Sequence, residues 1–307
     1  MNYNYYIADV FTKKVFNGAQ VAVFPKADGL SKEQMTLVAR ELNLTETVFL
    51  FKNADIENDL QMKIFSPAGE IDVAGHPVIA AAYILANCGY LDLNNKDHTQ
   101  VNLHQNKASI QANVSCTNGQ ANFVQYSRTV SPIVDYFTPT ETELASFLGI
   151  DAAYIDNKKY SARLVSCGIP YLVVPTFYHE TIRDAKFNLA AWSQSIAPQT
   201  AAEEILLVSP KTPAQDSDFA VRLLGPNIGL HEDPPVGSAI PTLAAFLCSF
   251  DHMQKGTYTF AVERGDEKVR RSVLNMEMDH KGEDTLTIRV GGEAVKASEG
   301  TMFIPEL

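Results

Sequence analysis

The second half of this 307-residue chain restates the first. Gly18-Ala19-Gln20-Val21-Ala22-Val23, a glycine leading into a strand-like run, resembles Gly168-Ile169-Pro170-Tyr171-Leu172-Val173. Glu46-Thr47-Val48-Phe49-Leu50 resembles Glu204-Ile205-Leu206-Leu207-Val208. Phe65-Ser66-Pro67, a loop, Gly75-His76 and an apolar helical run are matched by Leu224-Gly225-Pro226, a loop, Gly237-Ser238 and the run 239–247. Aligning Gly75 with Gly237 pairs Ala82 with Ala244 and Leu85 with Leu247. Few identities are involved, so chance likeness between apolar patterns is the competing reading; the shared order of elements argues against it. Two copies of a strand-rich unit, each with one greasy helix, predict an α+β protein with pseudo-twofold halves. Strands should curl around a central helix whose start faces the other copy.

Local signals agree with such a unit. The runs 5–11 and 20–24 are rich in β-branched and aromatic residues and read as strands. Ser31 with Gln34 forms a capping box, and Leu30 with Met35 a hydrophobic staple, so a helix starts there. Strands return at 47–51 and 61–65. Pro77 and the small apolar run behind it read as a helix, apolar on nearly every face and so wrapped by other elements. Asn118-Gly119 marks a hairpin between 108–116 and 121–126. The polar, proline-bearing stretch 127–139 is the best linker, which puts the halves at 1–127 and 128–307, with the last strand free to cross back to the first half. Thr140 with Glu143 caps the helix that follows.

Composition narrows the function classes. With 36 Asp+Glu against 25 Lys+Arg, the net charge of -11 argues against nucleic acid and against an anionic membrane surface, both of which need clustered cations. No apolar stretch reaches the ~20 residues of a membrane span, and the N-terminus lacks the look of a signal peptide. Cys88, Cys116, Cys167 and Cys248 lie far apart with no CxxC pair, which fits buried thiols in a reducing compartment. A cytoplasmic protein is expected. The glycosylation sequons at Asn43 and Asn113 then count as chance.

Both repeated loops end in a glycine at a helix start, where free N–H groups and the helix dipole favour an anion. In a twofold arrangement two such ends converge on one cleft, so a small anionic substrate is the expected ligand despite the acidic balance. Near these turns lie the acid–base candidates Glu46, Glu70, Asp72, His76 and the triplet His231-Glu232-Asp233. A carboxylate tucked against apolar strands can have its pKa raised toward neutrality and serve as a proton carrier. Each candidate also has a plain structural reading. Glu46 can cap a backbone N–H, His76 can cap its helix, and Glu70, Asp72 and Glu232 can be solvated. His231 with Asp233 is too little for a metal site. Ser238 lacks the G-x-S-x-G elbow of a nucleophile and suits substrate binding or capping better. No nucleotide-binding glycine motif is present.

Taken in order, Ala8-Asp9-Val10-Phe11-Thr12, the run 18–24, Asn43-Leu44-Thr45-Glu46-Thr47, Ala74-Gly75-His76-Pro77 and Glu232-Asp233-Pro234-Pro235-Val236-Gly237-Ser238-Ala239 resemble the PhzF family of phenazine-biosynthesis-type isomerases. Weaker matches follow at Arg264-Gly265, Arg271-Ser272 and 290–295. The resemblance implies a diaminopimelate-epimerase-like fold: two similar halves, each a curved, mostly antiparallel sheet around a central helix, with the active site between them. It implies isomerisation of trans-2,3-dihydro-3-hydroxyanthranilate or a related acid with no metal or organic cofactor, and a homodimer. The proton-carrying glutamate maps to Glu46, with His76 and Asp233 as its catalytic companions. Gly75, Gly237 and Ser238 fall where family members hold the substrate. The chain departs from the family pattern at Gly18-Ala19-Gln20, Val73 and Pro235-Val236, which bears on substrate identity. A non-catalytic binding protein that keeps the fold is the rival reading. A two-thiol racemase is disfavoured, since no cysteine falls in the matched loops.

Overall fold

The chain folds into two compact units, residues 1–128 with 270–272 and 290–307, and residues 129–269 with 273–289. The computed structural model describes residues 1–52, 59–72, 74–93, 97–228, 233–266, 268 and 270–306.

In the first unit the strands are β1 (Asn2–Val10), β2 (Ala19–Phe24), β3 (Glu46–Lys52), β4 (Asp59–Ser66), β5 (Gly69–Ile71), β6 (His98–His104), β7 (Ser109–Thr117) and β8 (Gln120–Val130). The helices are α1 (Lys32–Leu42) and α2 (His76–Asn87). β1 runs antiparallel to β2, β2 parallel to β3, β3 antiparallel to β4, and β4 parallel to β6. Helix α2 carries His76–Ala86 almost wholly buried, so it has no solvent face to offer. It packs against β1, β2, β3 and β7, which requires the ladder to curl round it. Helix α1, with the full Ser31–Gln34 capping box, covers the other face of the ladder through Met35, Val38, Phe49 and Phe65. The Asn118-Gly119 turn forms as expected, with both residues at positive φ joining β7 to β8.

The second unit repeats the same pairings. It holds β9 (Ile133–Asp135), α3 (Glu141–Leu148), β10 (Arg163–Ser166), β11 (Pro170–Pro175), α4 (His179–Asp184), α5 (Leu189–Gln194), β12 (Glu204–Ser209), β13 (Phe219–Leu224), α6 (Ile240–Cys248), β14 (Gly256–Arg264) and β15 (Ser272–His280), with most of β16 (Leu286–Gly292). β10 to β11 is antiparallel, β11 to β12 parallel, β12 to β13 antiparallel and β13 to β14 parallel, the same series as β1 to β6. Helix α6 is the buried counterpart of α2, and α3, α4 and α5 supply the outer layer around Phe147, Trp192 and Leu207. The chain ends with β17 (Ala294–Phe303), antiparallel to β1 in the first unit and also in contact with α2.

Two sequence expectations change. The stretch 127–139 is not a plain linker: β8 continues to Val130 and β9 occupies Ile133–Asp135, because backbone pairing takes up chain that carries no apolar pattern. The first strand ends at Val10, since Phe11 takes a φ of 64°, which no strand residue adopts. Among the described residues no helix is long and apolar enough to cross a membrane.

Candidate active site

Glu46 is the first residue of β3, and its even-numbered successors Val48 and Leu50 are buried, which sets its side chain on one face of the ladder. Helix α2 begins at His76, thirty residues later in the chain. The two meet: Glu46 Oε2 and His76 Nε2 share a hydrogen bond of 2.7 Å, with side-chain exposures of 14% and 6%. Burial pushes the Glu46 carboxyl up, but the His76 charge, the His76 hydrogen bond and a hydrogen bond from Thr45 together outweigh it and hold the group below its usual range. The sequence allowed for a raised carboxyl; the structure gives a lowered one, because a buried glutamate with an imidazole partner is better solvated than an isolated one.

Gly75 caps α2 without a side chain. A Cβ there would fall 2.0 Å from Tyr126 Oη, so only glycine lets β8 approach the helix start. The Gln105 side chain fixes the residue before it: Ala74 N–H donates to Gln105 Oε1 and Gln105 Nε2 donates to Ala74 O, both at 2.9 Å. Neither Gln105 nor Tyr126 is legible in the sequence as a site residue, since Gln105, just past β6, and Tyr126 of β8 reach the start of α2 from far along the chain. Glu70 and Asp72 are not part of this pairing. Glu70 binds Lys32 and Asn106, and Asp72 binds Lys107, all at the surface.

In the second unit Asp233 has a side chain only 4% exposed and is held on both oxygens. Arg183 Nη2 of α4 donates to Oδ2 at 2.9 Å, and Arg264 Nε at the end of β14 donates to Oδ1 at 3.2 Å. Arg222 steadies this grip by donating from Nη1 to the carbonyls of Ile182, Arg183 and Ala185 at the end of α4. The metal-ligand reading of His231 with Asp233 loses its carboxylate to the two arginines; His231, Glu232 and Val73 lie outside the described residues. Gly237 is buried in the short turn Gly237–Ala239 that leads into α6. Ser238 is exposed and its hydroxyl lies 3.1 Å from Tyr171 Oη, another partner the sequence did not announce. Among the described residues no group of three or more His, Cys, Asp or Glu gathers in a way that could hold a metal ion.

The family model described as phenazine biosynthesis-like protein, PhzC-PhzF, matches residues 8–300. The chain belongs to this family. A relative in Mesorhizobium japonicum, named an uncharacterized isomerase, is 29% identical over 98% of this chain and 99% of its own length. The trans-2,3-dihydro-3-hydroxyanthranilate isomerase of Pseudomonas chlororaphis is 25% identical over 98% of this chain and all of its own. In structure, the PhzF-family phenazine biosynthesis protein of Bacillus anthracis superposes with a TM-score of 0.85 at 21% identity, covering 99% of this chain and 100% of that one. A hydroxyproline epimerase of Agrobacterium vitis, solved with bound trans-4-hydroxy-L-proline, gives 0.63 at 12% identity over 98% and 91% of the two chains. These likenesses establish a PhzF-type α+β fold, and relatives in the family are named isomerases.

Proposed function

We propose that this PhzF-family protein is an isomerase that moves a proton on a small, carboxylate-bearing cyclic or amino-acid-like substrate by glutamate acid–base catalysis. The buried Glu46–His76 hydrogen bond carries the reading. A carboxyl held below its usual range is ionised at neutral pH and so starts the cycle as the base. It takes a proton from a substrate carbon, the electron pair of that C–H bond moves into the substrate's conjugated system, and a proton returns at a second carbon. His76 orients the carboxylate and stabilises its charge. Gly75, packed against Tyr126, and Ala74, held by Gln105, fix the start of α2, whose dipole favours the substrate carboxylate. The orienting role of Asp233 and the substrate contacts of Gly237 and Ser238 rest on their places in the family motif.

The named substrate of the Pseudomonas relatives, trans-2,3-dihydro-3-hydroxyanthranilate, is the first compound to assay. Turnover in heavy water with deuterium entering the product, lost in folded Glu46→Gln, is the expected result. A Glu46→Gln protein with undiminished turnover would overturn the assignment.

A further inference from the structure

Three adjacent strands of the first unit carry a histidine between a carboxylate and a serine. β4 runs parallel to β6, with Asp59 opposite Asn102 and Gln61 opposite His104; β6 runs antiparallel to β7, with His104 opposite Ser109. Side chains alternate along a strand and opposite residues share a face, so Asp59, Gln61, His104 and Ser109 project from one face of these strands. The turn joining β6 to β7 brings two of them closer still. Gln105 N–H donates to Ala108 O at 2.8 Å, which makes 105 and 108 a hydrogen-bonded pair. His104 and Ser109 are then the next, non-hydrogen-bonded pair, the kind in which facing side chains stand nearest.

The side chains close into a continuous chain of hydrogen bonds. Asp59 Oδ1 lies 2.6 Å from His104 Nε2, and His104 Nδ1 lies 2.7 Å from Ser109 Oγ. The Asp59 side chain is only 8% exposed, His104 is partly exposed and Ser109 is exposed. A carboxylate can only accept, so Nε2 carries its proton toward Asp59; in the neutral imidazole Nδ1 is left to accept from the Ser109 hydroxyl. Gln61 Nε2 donates to His104 O at 2.8 Å and ties this end of β6 to β4. The same ladder supplies a contrast. His98 stands opposite Ser115 with Nδ1 3.3 Å from Oγ, and among the described residues His98 has no ion pair with a carboxylate. A cross-strand histidine–serine contact therefore needs no third member. Asp59 adds what a base requires, a fixed ring and a fixed tautomer. The two ring nitrogens are exchanged relative to the usual serine hydrolase, which leaves the chemistry intact, because base and orienter need only take opposite sides of the ring.

We infer that Ser109 is a nucleophile for acyl transfer from small esters, with His104 as its general base and Asp59 as the positioning residue that orients the imidazole. The inference stands apart from the isomerase reading and shares no residue with it. Ser109 is a surface hydroxyl, which suits a short acyl group on a good leaving group. Ser109 Oγ forms a bond to the acyl carbon as its proton passes to His104 Nδ1. The ester C–O bond breaks, and the departing oxygen takes that proton from His104. Water then attacks the acyl carbon by the same route, which releases the acid and restores the Ser109 hydroxyl.

The test treats the full-length protein with p-nitrophenyl acetate, quenches in acid, and follows acetyl groups residue by residue in the digested chain by mass spectrometry. Wild type should acetylate Ser109 much faster than Ser115, whose histidine lacks the carboxylate. His104→Gln keeps a hydrogen-bonding group on the hairpin but no base, and should slow acetylation of Ser109 by ~10²- to 10⁴-fold. Asp59→Asn should slow it too, since a carboxamide can donate to Nε2 and so favours the wrong tautomer. Thermal melts matching wild type separate that loss from a merely structural one. Absence of acetyl on Ser109, a Ser109 rate no greater than that of Ser115, or wild-type acetylation in His104→Gln overturns the inference. Asp59→Asn acetylating at the wild-type rate refutes the role given to Asp59. The comparison of Ser109 with Ser115 needs no substitution, so it decides the proposal even where a variant fails to fold.

Discussion

Replacing Gly75 by alanine tests whether the start of α2 is set by contact with β8. The new Cβ would meet Tyr126 Oη at 2.0 Å and Cζ at 2.7 Å, where ordinary contact begins at 3.4 Å. Tyr126 is 3% exposed and cannot swing into solvent, so either the ring or the helix start must move by more than an ångström. Overpacking of this kind costs about 1–3 kcal/mol. Because His76 is the next residue, the same shift lengthens its hydrogen bond to Glu46 and should lower activity beyond the loss of stability. Tyr126→Phe removes the closest atom but leaves the 2.7 Å contact, so it should relieve part of the strain. Thermal melts of the wild type, both single variants and the double variant give the coupling energy, expected at about 0.5–3 kcal/mol with the double variant more stable than additivity allows. Turnover of the same four proteins reads the Glu46–His76 geometry. Strict additivity of the two substitutions, or a Gly75→Ala protein with the wild-type melting temperature, would refute the contact as the reason for glycine.

Other outcomes follow from the same geometry. Glu46→Gln should lose ~10²- to 10⁴-fold in kcat. With the carboxyl held below its usual range, the acid limb of the wild-type pH profile should lie below ~4.3, and any stability contributed by the pair should be present above that pH and disappear as pH falls through the folded value. Gln105→Ala should cost about 1–3 kcal/mol in denaturant titration, since it strips both polar groups of Ala74 of their partner. Arg183→Ala should destabilise by a similar amount, about 1–3 kcal/mol, because Asp233 is almost fully buried and loses one of its two arginines; an Asp233→Asn background should shrink that cost. Cys248, with its thiol pushed up to about 11 by burial, should resist alkylation at pH 8 in the native protein and react once it is unfolded.

Much of the fold was legible because it is written in local chemistry. The Ser31 and Thr140 capping boxes, the Asn118-Gly119 turn and the all-round apolar run behind Pro77 each act through neighbours in the chain, and each forms as read. The site was legible only as a set of residue types near two glycine turns. Nothing within a few residues of Glu46 names His76 as its partner, because that contact follows from how β3 and α2 pack. Gln105, Tyr126, Arg183 and Tyr171 were invisible for the same reason: each acts on a residue far away in the chain, and no local pattern records such a meeting.

The repeat in the sequence, two glycine-led strands, two glutamate-led strands and two greasy helices, was enough to specify what kind of unit this chain builds. Apolar periodicity determines which faces must be buried, and a helix with no polar face must be wrapped by strands whatever its neighbours are. What the pattern left undetermined is the chemistry of each copy. The same strand start that gives Glu46 an imidazole and a lowered carboxyl gives Glu204 a tyrosine beside a serine and a raised one. Burial acts alike on both; partners decide the sign, and only the folded chain assigns the partners.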